Sequence, residues 1–461
     1  MKSVALFVAL SFAADETPES ANVLIEGMPY VQQKPDFCGE ACAEMVLQKL
    51  KIGIDQDEVF ARTGVDPALG RGAWTKELKV ALEDIGFDIG QVWYTAANEK
   101  EVMVQWSSLY SDLQQGIPSI ICTHFDEQPN TTEHFRLIVG YDAGKDDVIY
   151  HDPAIANGSY LKMDKAQFLR LWPLKYNPKQ WTIVRFRLPG EGLTGTQTMK
   201  SNNEADYAQK VMAMKPRVPA GFTIVVEPPF VVVGDEPAPV VQRRAQNTVA
   251  WSVSRLKKDY FKKNPDDIWE IWLFNDKRSY EHHAWTLFGD KPDTPYGYAS
   301  SEHNALVMNI ATGGGTLVHE IVHPFLDANF ENVPSWFNEG LASLYEQSSS
   351  RGDHIVGLTN WRLAGLQEAI EADSVPAFKW LMAQSTNDFY NRDPGTNYAQ
   401  SRYLLYYLQE KGLLVTYYNR FYDQRKTDPT GFQSLKVVLG RDDIDTFQKE
   451  WEEWLMKLHF P

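Results

Sequence analysis

The 461-residue sequence has few cysteines, fewer basic than acidic residues and no long apolar segment, and each of these features argues against a class of protein. Three cysteines cannot form the disulfide framework of a small secreted domain. The net charge of -16 argues against nucleic acid as a partner, because such binding needs a basic face. No segment is apolar enough to predict a transmembrane helix. What remains is a globular protein, long enough for two domains.

The first residues, MKSVALFVALSFAADE, predict a secretory signal over residues 1–14. Lys2 gives a positive start, an apolar run extends from Val4 to Phe12, and Ser11 and Ala13 are small residues of the kind found at a cleavage site. A buried first strand or helix is the alternative. The signal predicts a secreted or periplasmic protein.

Two regions with different patterns follow the signal. Residues 15–188 alternate between helical and strand patterns. The helices are expected at 38–50 and 74–87, and the strands at 117–125, 133–142, 146–153 and 181–188. Residues 189–206 are rich in Gly, Thr and Asn and predict a linker. Residues 207–461 form the second domain, with strands at 222–234, 268–274 and 304–310 and mainly helices after Ile310.

The second domain contains the residue types of a zinc site in TLVHEIVHPFLDANFENVPSWFNEGLASLYE. In H-E-x-x-H, His319 and His323 lie one turn apart on one face of a helix, where two imidazoles bind a single Zn2+. Glu320 beside them is placed to take a proton from water as the general base. Glu339 on a second helix supplies the third ligand and leaves a fourth position open. An ordinary amphipathic helix with two histidines is the alternative.

Residues around Glu339 predict how the second helix is placed. Ser335 is expected to cap this helix, and Gly340 is expected to let it approach the metal closely. Three residues further along the chain are candidate oxyanion donors, although a packed aromatic helix is the favoured explanation for each. They are Tyr398, Arg402 and Tyr403.

H-E-x-x-H on one helix and an N-E-G glutamate on the next resemble the gluzincin metallopeptidases, over roughly residues 220–461. The resemblance implies a thermolysin-like fold, mixed α/β and then α-helical, with bound Zn2+ and peptide-bond hydrolysis. It also implies that strand 304–310 binds the substrate as an added strand. Pro324 departs from the better-known members and predicts a kink. The short interval between His323 and Glu339 means that aminopeptidase activity is not implied.

The first domain contains the residue types of a thiol hydrolase. In QQKPDFCGEAC, Cys38 lies at the start of a helix, where the helix dipole favours the thiolate. The strands on either side of the turn DAGKD predict a hairpin, and His134 and Asp152 are nearly equidistant from its centre. A nucleophile, a base and an orienting carboxylate are therefore expected together. Gln33 or Gln32 is expected to complete an oxyanion hole.

The motifs QQKPDFCGEAC, HFRLIVGYD and HDPA resemble the papain-like peptidases related to the bacteriocin-leader-processing (double-glycine) family, over about residues 25–188. The resemblance implies a papain-like fold with Cys38 as nucleophile, His134 as base, Asp152 as orienting acid and Gln33 as oxyanion donor. No transporter segment follows, so leader processing coupled to export is not implied.

Together the two regions predict an exported α+β protein with a cysteine peptidase domain and a zinc metallopeptidase domain. Its expected partner is a peptide or protein substrate, and the oligomeric state is left open. In one alternative the first domain is a non-catalytic peptide-binding module beside the zinc peptidase. In another it is a thiol amidase that acts on non-peptide amides.

The composition of the linker predicts that limited proteolysis cuts the chain between Thr194 and Glu204. The reason is that residues 189–206 lack the apolar periodicity needed to join either core. Electrophoresis and mass spectrometry should show two folded fragments, with the zinc in the C-terminal one. Unfolding of either fragment after cleavage would contradict independent domains.

Overall fold

The computed structural model describes residues 21–128, 131–177, 179–191, 193 and 203–460. The chain divides into two compact units, Met1–Met212 and Ala213–Pro461. The predicted signal over residues 1–14 lies outside the described residues, as does most of the predicted linker. No helix in the described part of the chain is long and apolar enough to cross a membrane.

The first unit, within its described residues, is an eight-stranded sheet with helices on both faces. Its strands are β1 (Val23–Leu24), β2 (Trp93–Ala96), β3 (Ser119–His124), β4 (Glu133–Asp142), β5 (Asp147–His151), β6 (Leu161–Asp164), β7 (Leu174–Asn177) and β8 (Gln180–Arg187). Its helices are α1 (Cys38–Lys49), α2 (Gln56–Arg62), α3 (Thr75–Ile85), α4 (Glu99–Gln114), α5 (Lys165–Leu171) and α6 (Glu204–Met214).

The central strand β4 separates the two halves of this core. The sheet order is β2-β8-β3-β4-β5-β6, with β1 also paired to β4 and β7 to β8. Phe135 and Leu137 face the apolar cluster of α1 and α3, whereas Ile138 faces the cluster of α4 and α5. Gly39 lets α1 lie directly on the strand, because a Cβ there would be 3.1 Å from the Phe135 ring. The alternation of β4 therefore decides which side chains lie near α1.

The boundary between the units differs from the predicted one. Helix α6 begins inside the predicted linker, at Glu204, and its Ala205 and Ala208 pack against Phe37 and Phe60 of the first unit. Because these small apolar side chains join the first core, the boundary falls after Met212 instead of at 206/207.

The second unit combines a five-stranded sheet with a larger helical part, within the residues that are described. Its strands are β9 (Thr223–Glu227), β10 (Phe230–Gly234), β11 (Trp269–Phe274), β12 (Gly297–Ser300), β13 (Ala305–Asn309), β14 (Ser348–Arg351) and β15 (His354–Gly357). Its helices are α7 (Ala238–Arg244), α8 (Trp251–Asp259), α9 (Lys277–Phe288), α10 (Gly315–Asn329), α11 (Ser335–Leu344), α12 (Arg362–Glu371), α13 (Phe378–Met382), α14 (Thr386–Asn391), α15 (Pro394–Glu410), α16 (Leu414–Gln424), α17 (Phe432–Leu439) and α18 (Ile444–Leu455).

The sheet order β12-β13-β11-β10-β9 corrects one expectation. Strand β13, predicted to bind substrate as residues 304–310, is paired on both sides, by β12 and by β11. It therefore has no free edge for an added strand. The edge strand on this side is β12, Gly297–Ser300, which was not predicted because its sequence is short and weakly apolar.

The buried His151 predicts that the first unit loses stability in acid. Its ring lies 4.6 Å from that of Tyr160, and burial lowers its pKa to about 4. The unfolded chain takes up this proton near pH 6.5, so the free energy of unfolding falls as the pH drops from about 6.5 to 4. Between pH 7 and pH 5 the loss should be about 2 kcal/mol.

Denaturant unfolding of the wild type and of His151→Phe checks this effect. The variant should lose less stability on acidification, whereas His124→Phe, which changes a partly exposed histidine of β3, should behave as the wild type. An identical pH dependence in all three proteins would contradict the assignment.

Candidate active sites

Cys38 is the first residue of α1 and lines a cavity of about 560 Å³ together with Cys122 and Phe135. Burial raises the pKa of this thiol to about 12, and the carboxylates of Glu40 and Asp36 add to the effect while the Phe135 backbone opposes it. The sequence predicted the opposite direction from the helix start. Desolvation and two nearby negative charges outweigh the helix dipole, so the thiol is neutral at neutral pH.

His134 and Asp152 meet across the β4–β5 hairpin, as the turn predicted. His134 Nε2 lies 2.7 Å from Asp152 Oδ1, and Arg136 Nε donates to Asp152 Oδ2 at 2.9 Å. Burial alone would raise the pKa of Asp152, but the hydrogen bond from His134 and the charge of Arg136 lower it below its ordinary value. Asp152 is therefore an ionised carboxylate that holds the imidazole by one nitrogen.

The other nitrogen, His134 Nδ1, makes no hydrogen bond with the described residues, and none joins His134 to Cys38. Cys38 lies instead beside Phe135, the next residue of β4. Gln33 is tied to this region because its backbone N–H donates to Pro153 O at 3.0 Å. Gln32 is exposed, whereas Gln33 is partly buried.

The predicted zinc ligands lie together in the second unit. His319 and His323 are on α10 and Glu339 is on α11, and one donor atom from each lies within 4.8 Å of the other two. Glu339 Oε2 is 3.4 Å from His319 Nε2 and 4.0 Å from His323 Nε2. Donors around a tetrahedral zinc are roughly 3.3 Å apart, so these three fit the ion with little movement.

The remaining donor atoms of these residues are held by neighbours. His323 Nδ1 lies 2.8 Å from Asn338 Oδ1, and Tyr390 donates to Glu339 Oε1 at 2.6 Å. Burial would raise the pKa of Glu339, but the two histidines bring it to about 2, so the carboxylate is ionised as a metal ligand must be. Outer contacts of this kind fix which atoms face a metal.

Glu346 provides the outer contact for the first histidine. Its Oε1 lies 3.4 Å from His319 Nδ1, and both of its oxygens accept from Arg362. Residue 315 has to be a glycine, because a Cβ on Gly315 would lie 1.9 Å from the Glu346 carbonyl oxygen. Glu320, Glu346 and Arg362 line one cavity of about 930 Å³ with His319.

Two expectations around the metal cluster are corrected. Ser335 does not cap α11: the N-cap is Pro334, which has no side-chain bond. Gly340 faces α15 instead of the metal, since a Cβ there would be 3.1 Å from Ser401 Cβ. Helix α10 extends past Pro324 to Asn329, and the predicted kink at Pro324 stays a prediction.

Of the three oxyanion candidates, only Tyr398 lines the cavity beside His319. Arg402 is fully buried and donates to the Ser343 backbone oxygen, and Tyr403 is fully buried and hydrogen-bonds to Asn360. These two support the packing of α15, as the favoured explanation proposed.

Sequence reasoning missed Arg136 and Glu346. Arg136 could have been found, because it lies two residues after His134 and so on the same face of β4. No sequence pattern predicted a role for Glu346. Its contacts with His319 and Arg362 form only because the end of α11 and the start of α12 meet in space.

Comparison with known proteins bears mainly on the first unit. Residues 25–178 match the Peptidase_C39 like family, and residues 313–426 match a protein family of unknown function, DUF1570. No curated protein matches the chain. The solved peptidase domain of Streptococcus ComA, a bi-functional ABC transporter involved in quorum sensing, is 15% identical over 35% of this chain and 98% of that chain, with a TM-score of 0.24.

The Peptidase_C39 match agrees with the resemblance drawn from QQKPDFCGEAC, and the gluzincin resemblance stays a prediction, since the second family has no described function. The N-terminal unit is similar to a cysteine peptidase family, and this similarity indicates a cysteine peptidase function for it.

Proposed function

We propose that this chain is an exported peptidase with a thiol-dependent site in its first unit and a zinc-dependent site in its second. The convergence of His319, His323 and Glu339 on one point supports the zinc site most directly. The family match and the bond from His134 to Asp152 support the thiol site.

At the zinc site the chain supplies the ligands and the proton carrier. Zinc bound to His319, His323 and Glu339 would act as a Lewis acid that polarises the substrate carbonyl and makes water more acidic. Glu320 takes the proton of the attacking water and returns it to the leaving amine. Glu346 is a positioning residue that holds His319.

Arg362 and Tyr398 line the cavity beside His319, and we expect their side chains to contact the substrate. Arg362 is anchored by two of its nitrogens on Glu346, and its guanidinium carbon lies 5.0 Å from the Tyr398 ring centre. A cation and a phenol beside the carbonyl would stabilise its developing negative charge. The edge strand β12 offers backbone groups to an extended peptide near Gly297, which lines the same cavity.

At the thiol site a neutral Cys38 must lose its proton as it attacks. His134 Nδ1 accepts that proton while the sulfur bonds to the carbonyl carbon, and then gives it to the leaving amine. Water releases the acyl group from sulfur and restores the thiol. Substrate has to bring Cys38 and His134 into contact, as catalytic hydrogen bonds often tighten only in the complex.

A non-catalytic peptide-binding first unit is the second candidate. The observation in its favour is the partly buried, neutral Cys38 without a hydrogen bond to His134. A thiol amidase that acts on non-peptide amides would use the same residues. Only assays with different substrates distinguish it from a peptidase.

Purified protein should contain about one zinc per chain. His323→Ala should lose the metal because one of three ligands is gone, whereas Glu320→Gln should keep it and lose zinc-dependent hydrolysis. His282→Ala, an exposed histidine of α9 outside the cluster, is the matched control and should keep both. Metal analysis and peptide hydrolysis measure these effects, and a wild type that binds no zinc would refute the site.

Alkylation of Cys38 by iodoacetamide should be slower at pH 7.5 than that of a free cysteine, and should keep rising up to pH 10, because its pKa is raised to about 12. His134→Ala should leave this rate unchanged but abolish peptide hydrolysis measured in a Glu320→Gln background. A rate plateau below pH 8.5 would contradict the neutral thiol. Hydrolysis that survives in both Cys38→Ala and His134→Ala would exclude the thiol peptidase and leave a binding module.

A further inference from the structure

Three exposed aromatic side chains form the walls of the cavity that contains Cys38. Trp74 is 67% exposed, Tyr176 57% and Trp93 40%. They come from separate places in the chain, the N-cap of α3 and the strands β7 and β2. Large aromatic groups left in solvent around one cavity mark a binding surface, because folding normally removes such groups from water.

Trp74 is exposed but held in place. The guanidinium carbon of Arg71 lies 4.0 Å from the centre of its ring, and Arg71 is fixed in turn by two hydrogen bonds to Glu77, of 2.7 and 2.6 Å. The Trp74 backbone N–H also donates to Glu77, at 2.8 Å. The indole therefore has one side supported by a cation and the rest available to a ligand.

The loop before Trp74 is tied to the start of α1, where the nucleophile lies. Gly72 N–H donates to Asp36 Oδ2 at 2.9 Å, and Ala73 N–H donates to Glu40 Oε1 at 2.7 Å. Glu40 is fully buried, and a Cβ on Gly72 would lie 1.9 Å from the Asp36 carbonyl oxygen. Asp36 and Glu40, which hold this loop, lie on either side of Cys38 in the sequence. The position of Trp74 relative to the thiol is therefore fixed.

This fixed wall has a consequence for binding. A side chain that is already ordered loses little conformational entropy when a ligand packs on it, so its contact contributes more to affinity. The charged side chains that line the cavity are Lys76, Asp36 and Glu133, and Asp36 is occupied by the hydrogen bond from Gly72. Glu133 is also occupied, because it accepts a hydrogen bond from Tyr176 at 2.6 Å. The property that Trp74, Trp93 and Tyr176 share is an exposed aromatic surface that faces this cavity.

We infer that Trp74, Trp93 and Tyr176 form an aromatic subsite that binds an aromatic side chain of a peptide, next to the bond that Cys38 attacks. The inference rests on the proposed thiol peptidase function and names the substrate class of that site. Ring-to-ring packing adds to the affinity gained from the buried area alone, and a preference of about tenfold for Phe over Ala is expected.

The test uses the full chain with Glu320→Gln, which silences the zinc site. Two internally quenched peptide libraries differ only in having Phe or Ala at one position, which is scanned on both sides of the cleaved bond. The kcat/KM for the Phe peptide should be about tenfold higher at one position. Trp74→Ala should bring this ratio towards one, and Trp74→Phe should keep most of it. Trp285→Ala, which changes a similarly exposed tryptophan of α9, should keep the full ratio.

Equal rates for the Phe and Ala peptides at every position, or a ratio unchanged by Trp74→Ala, would overturn the subsite and leave the thiol peptidase standing. If neither peptide is cleaved, the proposed thiol peptidase activity is refuted. The aromatic subsite is then tested by peptide binding alone. Fluorescence anisotropy of the same peptides, labelled, on a Cys38→Ala, Glu320→Gln protein should then show tighter binding of the Phe peptide that depends on Trp74. Equal affinities would overturn the subsite.

Discussion

A carboxylate that holds one nitrogen of a histidine sets the geometry of both candidate sites. Asp152 fixes His134 through Nε2, and Glu346 lies beside His319 at Nδ1. A contact at one ring nitrogen restricts the orientation of the whole ring. In the second unit the other nitrogen, His319 Nε2, lies 3.4 Å from Glu339 Oε2. Each carboxylate is itself paired with an arginine, Arg136 or Arg362. These contacts favour one orientation and one tautomer for each imidazole.

Burial acts to raise the pKa at both sites, and the neighbouring charges decide the outcome. Around Cys38 it raises the pKa of the thiol, and the nearby carboxylates of Glu40 and Asp36 add to the effect. Around Glu339 it also acts to raise the pKa, but the two histidines outweigh it. Cys38 is therefore a neutral thiol that needs a base to act as a nucleophile. Glu339 is an ionised carboxylate that can bind a cation.

The sequence predicted the parts of each site that depend on local patterns. Helix α1, strands β4 and β5 and their hairpin follow from apolar periodicity and a clear turn, and the hairpin places His134 beside Asp152. The spacing of four between His319 and His323 is likewise local. The rest depends on tertiary packing, which one sequence does not show. The pKa of Cys38, the free edge at β12 and the place of Glu346 all arise where separate elements meet.

The central claim is that two histidines and a glutamate of the second unit hold one zinc ion. Diffraction data collected on both sides of the zinc absorption edge from crystals of the full chain test it most directly. The account predicts one anomalous peak about 2.0–2.1 Å from the Nε2 atoms of His319 and His323 and about 2.0–2.2 Å from Glu339 Oε2. A peak bound elsewhere, or a cluster that stays without zinc when the ion is supplied in excess, would contradict it.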